Sequence, residues 1–274
     1  MTPVTPLFDR TAIVSHRARA RAKAGDLFLH QAAVTEAEDR MAMVNRSFNA
    51  IAVVTPFPAV WQAVFPRATC VPDADTLDLA VGQFDLVIHA MCLHWANDPV
   101  GQLIQCRRAL AEDGLCLAMA LGGQTLSELR AALSDAESQV TGGLSPRVAP
   151  MAEIRDLGAL LQRAGLALPV ADSVVLTAKY RDLPHLMHDL RAMGETNALS
   201  GRLKYPTRRD VFDRANSLYS THFGTDDGRI PASFEIITLT GWAPSETQQK
   251  PLRPGSAQAR LADALRTDET SLPD

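Results

Sequence analysis

A short apolar segment is followed closely by polar residues that could carry chemistry. Phe84–His89 (FDLVIH) is mostly apolar and β-branched, as a buried parallel strand should be. His94, Trp95 and Asp98 come soon afterwards, before Pro99 begins a helix. Ligands of open α/β sheets bind beyond the carboxyl ends of parallel strands, so these side chains predict a ligand-facing loop. His94 could act as a general base or be purely structural, and Trp95 could pack on the sheet edge and shape a pocket.

A second group of candidate residues follows another apolar run. Residues 115–121 predict a buried strand, and Gly122 and Gly123 come directly after it, where they free the chain at the strand's carboxyl end. Thr125 could cap the next helix together with Glu128, three residues further on. The same residues could instead contact a substrate or a partner at this edge of the sheet.

The turn after the first predicted strand lacks the residues that usually hold a cofactor. Residues 48–54 are apolar and β-branched, and the chain then reads Thr55-Pro56-Phe57-Pro58. In Rossmann-like sheets this turn normally carries glycines, which let the backbone N–H groups approach a ligand. Here there is no glycine, and each proline removes an N–H donor. We therefore expect a cofactor to bind here weakly or not at all.

The chain between Val54 and Asp73 is too short for two complete strand–helix units. It contains 18 residues, whereas strands average about 5–6 residues and helices about 11–12. We predict a single short helix over residues 59–64 and one short strand over residues 68–71. No carboxylate lies within the interval, so Asp73 is the first acidic residue after the first strand.

Helical and extended patterns alternate along the chain, which predicts an α/β protein with a doubly wound, mostly parallel sheet. The predicted strands cover residues 48–54, 68–71, 84–89, 115–121, 168–179 and 233–241. The predicted helices cover residues 11–24, 26–45, 59–64, 99–112, 125–140, 151–164, 182–193 and 207–222. We divide the chain into an N-terminal helical segment (1–47), a central domain (48–245) with a helical insertion around 180–222, and a flexible tail (246–274).

Composition limits the class of function. The 274 residues are 46% hydrophobic with a net charge of −4, which can bury a large core and gives no electrostatic case for nucleic-acid binding. No apolar run approaches the roughly 20 residues that span a bilayer, and the first residues do not resemble a secretory signal. Cys70, Cys92, Cys106 and Cys116 have no ligand-like spacing, so we expect reduced thiols, no metal site and a cytoplasmic location.

Residues 11–24 concentrate positive charge within a predicted helix. Arg17, Arg19, Arg21 and Lys23 occupy every second position, and such positions point to different faces of a helix. This pattern is typical of a solvated basic surface. Contact with a phosphate or with a carrier protein is the alternative.

Several segments resemble class I methyltransferases, which use S-adenosylmethionine. LHWANDP (93–99) is similar to the loop after the family's fourth strand, and GGQTLSELR (122–130) to the segment after its fifth strand. SPR (145–147) and MGETN (193–197) resemble complex I assembly factor 5, which is grouped with the malonyl-carrier-protein methyltransferase of biotin synthesis. The resemblance covers residues 84–245 well and residues 7–80 poorly.

The resemblance implies a Rossmann-like class I methyltransferase sheet, trimmed by about one strand–helix unit, with extra helices after the fifth strand. It places Asp73 after the third strand, beside the adenine, and leaves the ribose without the carboxylate that usually ends the second strand. His94, Trp95 and Glu195 are implied to be catalytic. Cofactor contacts are implied for Thr55, Asp73, Ala74, His89 and Ala90, and substrate or partner contacts for Asp98, Gly122, Gly123, Thr125 and Asn197.

For function, the resemblance implies a protein substrate or partner. The assembly-factor group hydroxylates an arginine of a respiratory complex I subunit with the help of adenosylmethionine. We therefore expect an arginine-bearing segment to stack on Trp95 and pair with Glu195, with the protein at the periphery of the inner membrane. A cofactor-free relative acting as an assembly or protein-binding factor is the alternative, and a carrier-protein methyltransferase is a third.

Overall fold

Eight α-helices and six β-strands make up the part of the chain that the computed structural model describes, residues 6–23 and 25–248. The helices are α1 (Arg10–Lys23), α2 (Phe28–Met43), α3 (Pro58–Gln62), α4 (Pro99–Ala109), α5 (Ser127–Thr141), α6 (Ile154–Arg163), α7 (Leu183–Ala192) and α8 (Arg209–Phe223). The strands are β1 (Ile51–Val54), β2 (Thr69–Val71), β3 (Phe84–His89), β4 (Leu110–Leu121), β5 (Ala167–Tyr180) and β6 (Ile230–Trp242). A short 3-10 helix, Leu93–Trp95, follows β3.

The six strands form one sheet in the order β2-β1-β3-β4-β6-β5. β2, β1, β3 and β4 are parallel, whereas β6 runs antiparallel to both of its neighbours. The parallel strands therefore end at one shared edge, at Val71, Val54, His89 and Leu121. This arrangement confirms the Rossmann-like class I methyltransferase sheet, in which ligands bind at that edge.

Alternate side chains of β4 are buried on opposite faces of the sheet. Leu115, Leu117 and Met119 belong to one hydrophobic core, and Cys116 and Ala118 belong to the other. Residues of α2, α3, α5, α7 and α8 pack in the first core, and residues of α4 and α6 pack in the second. Because both faces are covered, the parallel strands are continuous apolar runs in the sequence.

The interval between β1 and β2 contains the five-residue helix α3, which confirms that only one short strand–helix unit fits there. The assignment of residues 68–71 to the third strand of the family is wrong, because β2 takes the place of the second strand. β2 pairs directly with β1, through Ala52 with Thr69 and Val54 with Val71. Asp73 therefore follows the strand beside β1 and not a third strand. A carboxylate is thus present at the position that the resemblance associates with the ribose.

Two element boundaries differ from the sequence prediction for identifiable reasons. β1 begins at Ile51, because the residues before it make side-chain contacts: the backbone N–H groups of Asn49 and Ala50 donate to the Asp85 carboxylate. α4 ends at Ala109 and β4 begins at Leu110, which is buried and pairs with Phe84. The burial of one leucine against the neighbouring strand therefore ends the helix earlier than its pattern suggests.

The resemblance implied extra helices after the family's fifth strand, which is β4 in this chain. They are present as α7 and α8, whose apolar faces join the first core. The predicted tail, 246–274, lies almost wholly outside the described residues. Within residues 6–23 and 25–248, no helix combines the length and the hydropathy that a membrane span requires.

We predict that Gly122→Ala destabilises the fold. A Cβ at this position would lie 2.5 Å from both Glu235 Oε2 and Ile237 Cδ1, so these two buried side chains would have to shift, and Glu235 would lose its bond from the Gln124 N–H. Overpacking of this kind costs about 1–3 kcal/mol, measurable by urea denaturation. Gly143→Ala is the matched control, because nothing lies within 4 Å of a Cβ there. Equal stability of the two variants would contradict the close approach.

Candidate functional site

The turn after β1 has no backbone N–H group left for a ligand. The Thr55 N–H donates to the Val71 carbonyl at 2.9 Å, and the Phe57 N–H donates to Thr55 Oγ1 at 3.1 Å. Pro56 and Pro58 have no N–H to offer. The Phe57 ring is buried and packs edge-on against His30, with the ring centroids 4.8 Å apart. The predicted contact of Thr55 with a cofactor would have to displace these internal bonds.

The Asp73 carboxylate is engaged by two arginines of the N-terminal helix. Arg10 Nη1 lies 3.2 Å from Asp73 Oδ2, and Arg17 Nη1 pairs with the same oxygen. Arg17 and Asp73 are both buried. The prediction of a solvated basic helix is therefore wrong for Arg17, although it holds for Arg19, which is exposed and donates to the Ser15 carbonyl within its own helix.

The other predicted cofactor residues of the sheet edge serve packing. His89 is fully buried, with Nε2 at 3.1 Å from Gln102 Oε1 and Nδ1 at 3.5 Å from Cys92 Sγ. Burial lowers the pKa of His89. Ala90 is part of the first core, and the Ala74 carbonyl accepts a bond from Gln102. His89 and Ala90 are therefore buried at the ends of the strands, and their contact with a cofactor stays a prediction.

The residues at this position do not fit adenosylmethionine. The turn offers no free N–H donor, Phe57 is packed against His30, and Oδ2 of the carboxylate at the end of β2 is bonded to Arg10 and Arg17. Each of these observations concerns a group that the resemblance expects the cofactor to use. We therefore derive no chemical step through that cofactor in this chain.

His94, Trp95 and Glu195 do come together, as the resemblance implies, and their bonds fix their roles. Trp95 Nε1 donates to Glu195 Oε2 at 2.8 Å, and His94 Nε2 lies 3.2 Å from the same oxygen. His94 Nδ1 accepts the Leu121 N–H at 3.3 Å, so the ring proton is on Nε2 and is donated to Glu195. Both nitrogens of His94 are therefore engaged, so the histidine positions Glu195, and its action as a general base stays a prediction.

Glu195 is ionised although it is buried. Burial alone would raise the pKa of Glu195, but His94, Arg17 and the Trp95 N–H outweigh this effect and hold the pKa below its usual value. Both recorded hydrogen bonds reach Oε2. Among the described residues, Oε1 is thus left to accept a further donor.

An apolar cavity of about 190 Å³ lies beside this cluster. Leucine, methionine and phenylalanine side chains are about half of its lining residues, among them Leu129 of α5, Met187 of α7, Phe212 of α8 and Phe234 of β6. Trp95, Glu195 and Asn197 also line it. Asn197 is held at the wall by bonds to the Pro146 carbonyl (2.8 Å) and from the Leu199 N–H (3.0 Å).

Trp95 is fixed by contacts with the N-terminal segment. Its ring meets Phe8 edge-on, with the centroids 5.1 Å apart, and the Phe8 backbone exchanges hydrogen bonds with the Asn97 side chain. Trp95 therefore forms part of the cavity wall, as expected from its residue type. It packs against the N-terminal segment as well as against the sheet edge. Asp98 caps α4 by accepting the Gly101 N–H at 2.8 Å, and it also lines a cavity of about 300 Å³ that includes Asp73, so its contact with a substrate or partner stays a prediction.

The predicted capping box at the start of α5 is wrong. Thr125 is fully buried, and its hydroxyl exchanges bonds with the Glu235 backbone, accepting at 3.1 Å and donating at 3.3 Å. Glu128 accepts a bond from the Ser233 hydroxyl at 2.5 Å. Both side chains tie α5 to β6, because bonding the neighbouring strand satisfies buried groups that a local cap would leave unpaired.

The two glycines after β4 are sites of close packing. Gly122 approaches Glu235, and a Cβ at Gly123 would lie 2.3 Å from Glu153 Oε1. The structure therefore assigns these glycines a packing reason, and Gly122, Gly123 and Thr125 are not brought together with Trp95 around the cavity. Within the described part of the chain, no group of His, Cys, Asp and Glu side chains is arranged to hold a metal ion.

Sequence reasoning missed the arginine face of α1. Arg10, Val14, Arg17 and Arg21 are spaced by four, three and four residues, so they lie on one face of the helix. Arg19 and Lys23 do not follow this spacing, so they lie on other faces of the helix. The periodicity was available in the sequence, but the partner of the face, Asp73, could be located only in the fold.

Comparison with known proteins places these features in context. A family described as a methyltransferase domain matches residues 47–118. Arginine-hydroxylase NDUFAF5 of Danio rerio is 37% identical over 198 residues, which are 72% of this chain and 61% of the relative. The protein of the same name from Dictyostelium discoideum is 42% identical over 65% of this chain and 41% of the relative.

A second kind of relative is malonyl-[acyl-carrier protein] O-methyltransferase. The protein from Laribacter hongkongensis is 32% identical over 190 residues, which are 69% of this chain and 61% of the relative. The chain thus spans less than two thirds of the length of each of these three relatives.

We predict that His30 makes stability fall as the solution becomes acidic. Burial, opposed by Glu195 but aided by Arg17 and His94, lowers the pKa of His30 to about 4. The unfolded chain takes up this proton near pH 6.5, so stability is lost as the pH falls from about 6.5 to 4, by on the order of 3 kcal/mol. Glu195 adds to this loss at the acidic end of the window, because its pKa is lowered from 4.5 and the unfolded chain begins to take up this proton near that pH.

The measurement is urea denaturation at several pH values for the wild type and for His30→Met. His30 Nδ1 has no hydrogen-bond partner among the described residues, so the substitution removes little besides the titration. The variant should lose less stability across the window. His222→Met, on an exposed position of α8, should follow the wild type. Identical profiles for all three proteins would refute the assignment to His30.

Proposed function

We propose a function from one premise: the chain is a class I methyltransferase-like protein, related to the NDUFAF5 arginine hydroxylases. Its function, in our proposal, is to bind an arginine side chain of a partner protein in the apolar cavity beside Trp95. The observation that carries this proposal is the ionised Glu195 in the wall of an otherwise apolar cavity.

Arginine suits such a cavity for two physical reasons. Its methylene stem packs on apolar surface while its guanidinium seeks a carboxylate, so it matches a leucine- and methionine-lined wall that contains one anion. Glu195 Oε1 makes no hydrogen bond to the described residues and can accept a guanidinium N–H. Trp95 offers a ring face for the same cation, although its N–H already holds Glu195.

Two arginines of the chain, Arg147 and Arg191, also line the cavity, and a positive charge there opposes the binding of another cation. Arg147 Nη2 lies 2.5 Å from Glu137 Oε1, so its charge is balanced by a carboxylate on α5. Arg191 is exposed, and water screens its repulsion of an incoming cation. Neither arginine therefore cancels the attraction of the buried Glu195.

The proposal is a binding and assembly function that does not depend on adenosylmethionine. It rests on the closed turn at Thr55–Pro58 and on the engaged carboxylate of Asp73. By the resemblance, the partner would be a respiratory-complex subunit, met in the cytoplasm at the periphery of the inner membrane. A cofactor-using enzyme is the second candidate, because the matched methyltransferase domain, residues 47–118, includes β1, β2 and β3.

We predict that Glu195→Gln abolishes the preference for arginine. The probes are acetyl-arginine amide and acetyl-citrulline amide, which have nearly the same shape but differ in charge. A charge-assisted hydrogen bond is worth about 1.5–3 kcal/mol, so the wild type should bind the arginine compound at least about tenfold more tightly. Binding is followed by quenching of tryptophan fluorescence, to which Trp95 in the cavity wall contributes together with Trp61 and Trp242.

The glutamine can still accept the Trp95 and His94 bonds, so the thermal midpoint should change little. Glu38→Gln, on the exposed face of α2, removes the same charge elsewhere and should keep the preference. To test the contribution of the Trp95 ring, Trp95→Phe is a better variant than Trp95→Ala, because alanine would leave a cavity beside Phe8. Equal binding of both compounds by the wild type, or an unchanged preference in Glu195→Gln, would overturn the proposal.

A further inference from the structure

One end of the sheet is formed by a long strand that has a neighbour on one side only. β5 has 14 residues and pairs with β6 over most of its length. Among the described residues no strand pairs with its outer side, so a row of N–H and C=O groups points away from the sheet. The strand at the opposite end, β2, has only three residues. A short edge strand resists pairing with another chain, whereas a long one is a template for it.

The outer side of β5 also exposes apolar side chains. Leu168, Val170, Val174 and Val175 are 49%, 53%, 41% and 53% exposed. They are four of the eleven large hydrophobic residues that are exposed in the described part of the chain, so exposed apolar surface is concentrated on this strand. Pairing with another strand would remove part of that surface from water. We call residues 170–178 the β5 edge.

The charges at the β5 edge are paired within the chain. Arg40 of α2 donates to the Asp172 carboxylate, with 2.5 Å between Nη1 and Oδ2. Lys179, just beyond the edge, pairs with Asp227 at 3.2 Å. Lysine and proline commonly protect edge strands, and residues 170–178 contain neither. The edge therefore offers an apolar strand as its complement and has no unbalanced charge to select a charged one.

We propose that two copies of the chain pair through the β5 edge, antiparallel and about a two-fold axis at Val175. A two-fold contact uses the same surface on both copies, so the surface must be complementary to itself. The opposed pairs would be Val175 with Val175, Val174 with Leu176, Ser173 with Thr177, and Asp172 with Ala178. Apolar residues then meet at the centre, two hydroxyls can bond across the strands, and no like charges are opposed. The dimer is independent of the arginine-binding function.

The helices on the two faces of the sheet are compatible with this register. On one face α6 packs over the first half of β5, where a Cβ at Gly158 would lie 3.3 Å from the Ala171 Cβ. On the other face Arg40 of α2 reaches Asp172. Ala171 would lie opposite Lys179 of the other copy. Because these positions are eight residues apart, each of the two helices is offset from its own copy by about 26 Å along the strand.

The size of the contact predicts a reversible dimer. Pairing about Val175 joins residues 170–180, which are eleven residues a side. A stable interface usually takes about 20–30 residues a side. We therefore expect association with a dissociation constant of about 10–100 μM.

Sedimentation velocity of the full chain at about 1–200 μM measures this association. We expect the average mass to rise with concentration from that of one chain towards that of two. Val175→Lys should raise the dissociation constant at least about tenfold, because two lysines would face each other at the axis. Val81→Lys is the matched control, since Val81 is 63% exposed in the turn before β3, and this variant should associate like the wild type.

Cysteine substitutions test the register with a short bismaleimide cross-linker. In Val175→Cys the two thiols would lie beside the axis and should cross-link into dimers. Val170→Cys is equally exposed, but the two copies of this position would be ten residues apart, about 33 Å, and should not cross-link. The wild type gives the background, because Cys70 is partly buried and the other three cysteines are buried.

The proposal fails if the chain stays monomeric throughout, or if Val175→Lys associates as strongly as Val81→Lys. Cross-linking of Val170→Cys in place of Val175→Cys would also exclude this pairing. If Val175→Lys does not fold by circular dichroism, the more conservative Val175→Cys decides the outcome. Hydrogen exchange of residues 170–178 should slow as the protein concentration rises. Protection already complete in the monomer would mean that another segment covers the edge, which also contradicts the proposal.

Discussion

The buried ion pair between Arg17 and Asp73 is the interaction on which the rest of this site depends. It joins residues 56 positions apart and fastens α1 across the ends of β1 and β2. Removing one partner of a buried pair typically costs about 3–5 kcal/mol, because the other charge is left uncompensated. The pair therefore fixes the N-terminal helix in place. It also engages Oδ2 of the carboxylate that, in this type of sheet, the ribose of a cofactor would need.

Once α1 is fixed, the neighbouring features follow from packing. The segment before α1 places Phe8 against Trp95, and Trp95 in turn holds Glu195 through its N–H. His94 supplies the second bond to Glu195 and receives one from the backbone of β4. The result is one ionised carboxylate with a free oxygen in an apolar wall. The sheet is thus of the methyltransferase type, but the polar groups at its edge make contacts within the chain. Function depends on such sites and not on the fold alone.

Sequence reasoning located the parallel strands and the shortened interval, because apolar runs and chain length constrain them directly. β3 was predicted to the residue, and a single short helix was expected where α3 lies. The pairing of β2 with β1 and the buried bonds of Thr125 could not be read in this way. Local patterns favour a helix cap for Thr125, but tertiary contact with Glu235 decides its role. The Arg17–Asp73 pair is likewise set by the fold, since nothing local links the two residues.

The central claim is that the turn after β1 and the Arg17–Asp73 pair withhold from a cofactor the polar contacts that it makes in related sheets. Isothermal titration calorimetry of the purified protein with adenosylmethionine and with its demethylated product tests this claim most directly. Because the turn at Thr55–Pro58 has no free N–H and Asp73 is already bonded, we predict no saturating heat at micromolar ligand for either compound. A dissociation constant below the micromolar range, with one site per chain, would contradict the account.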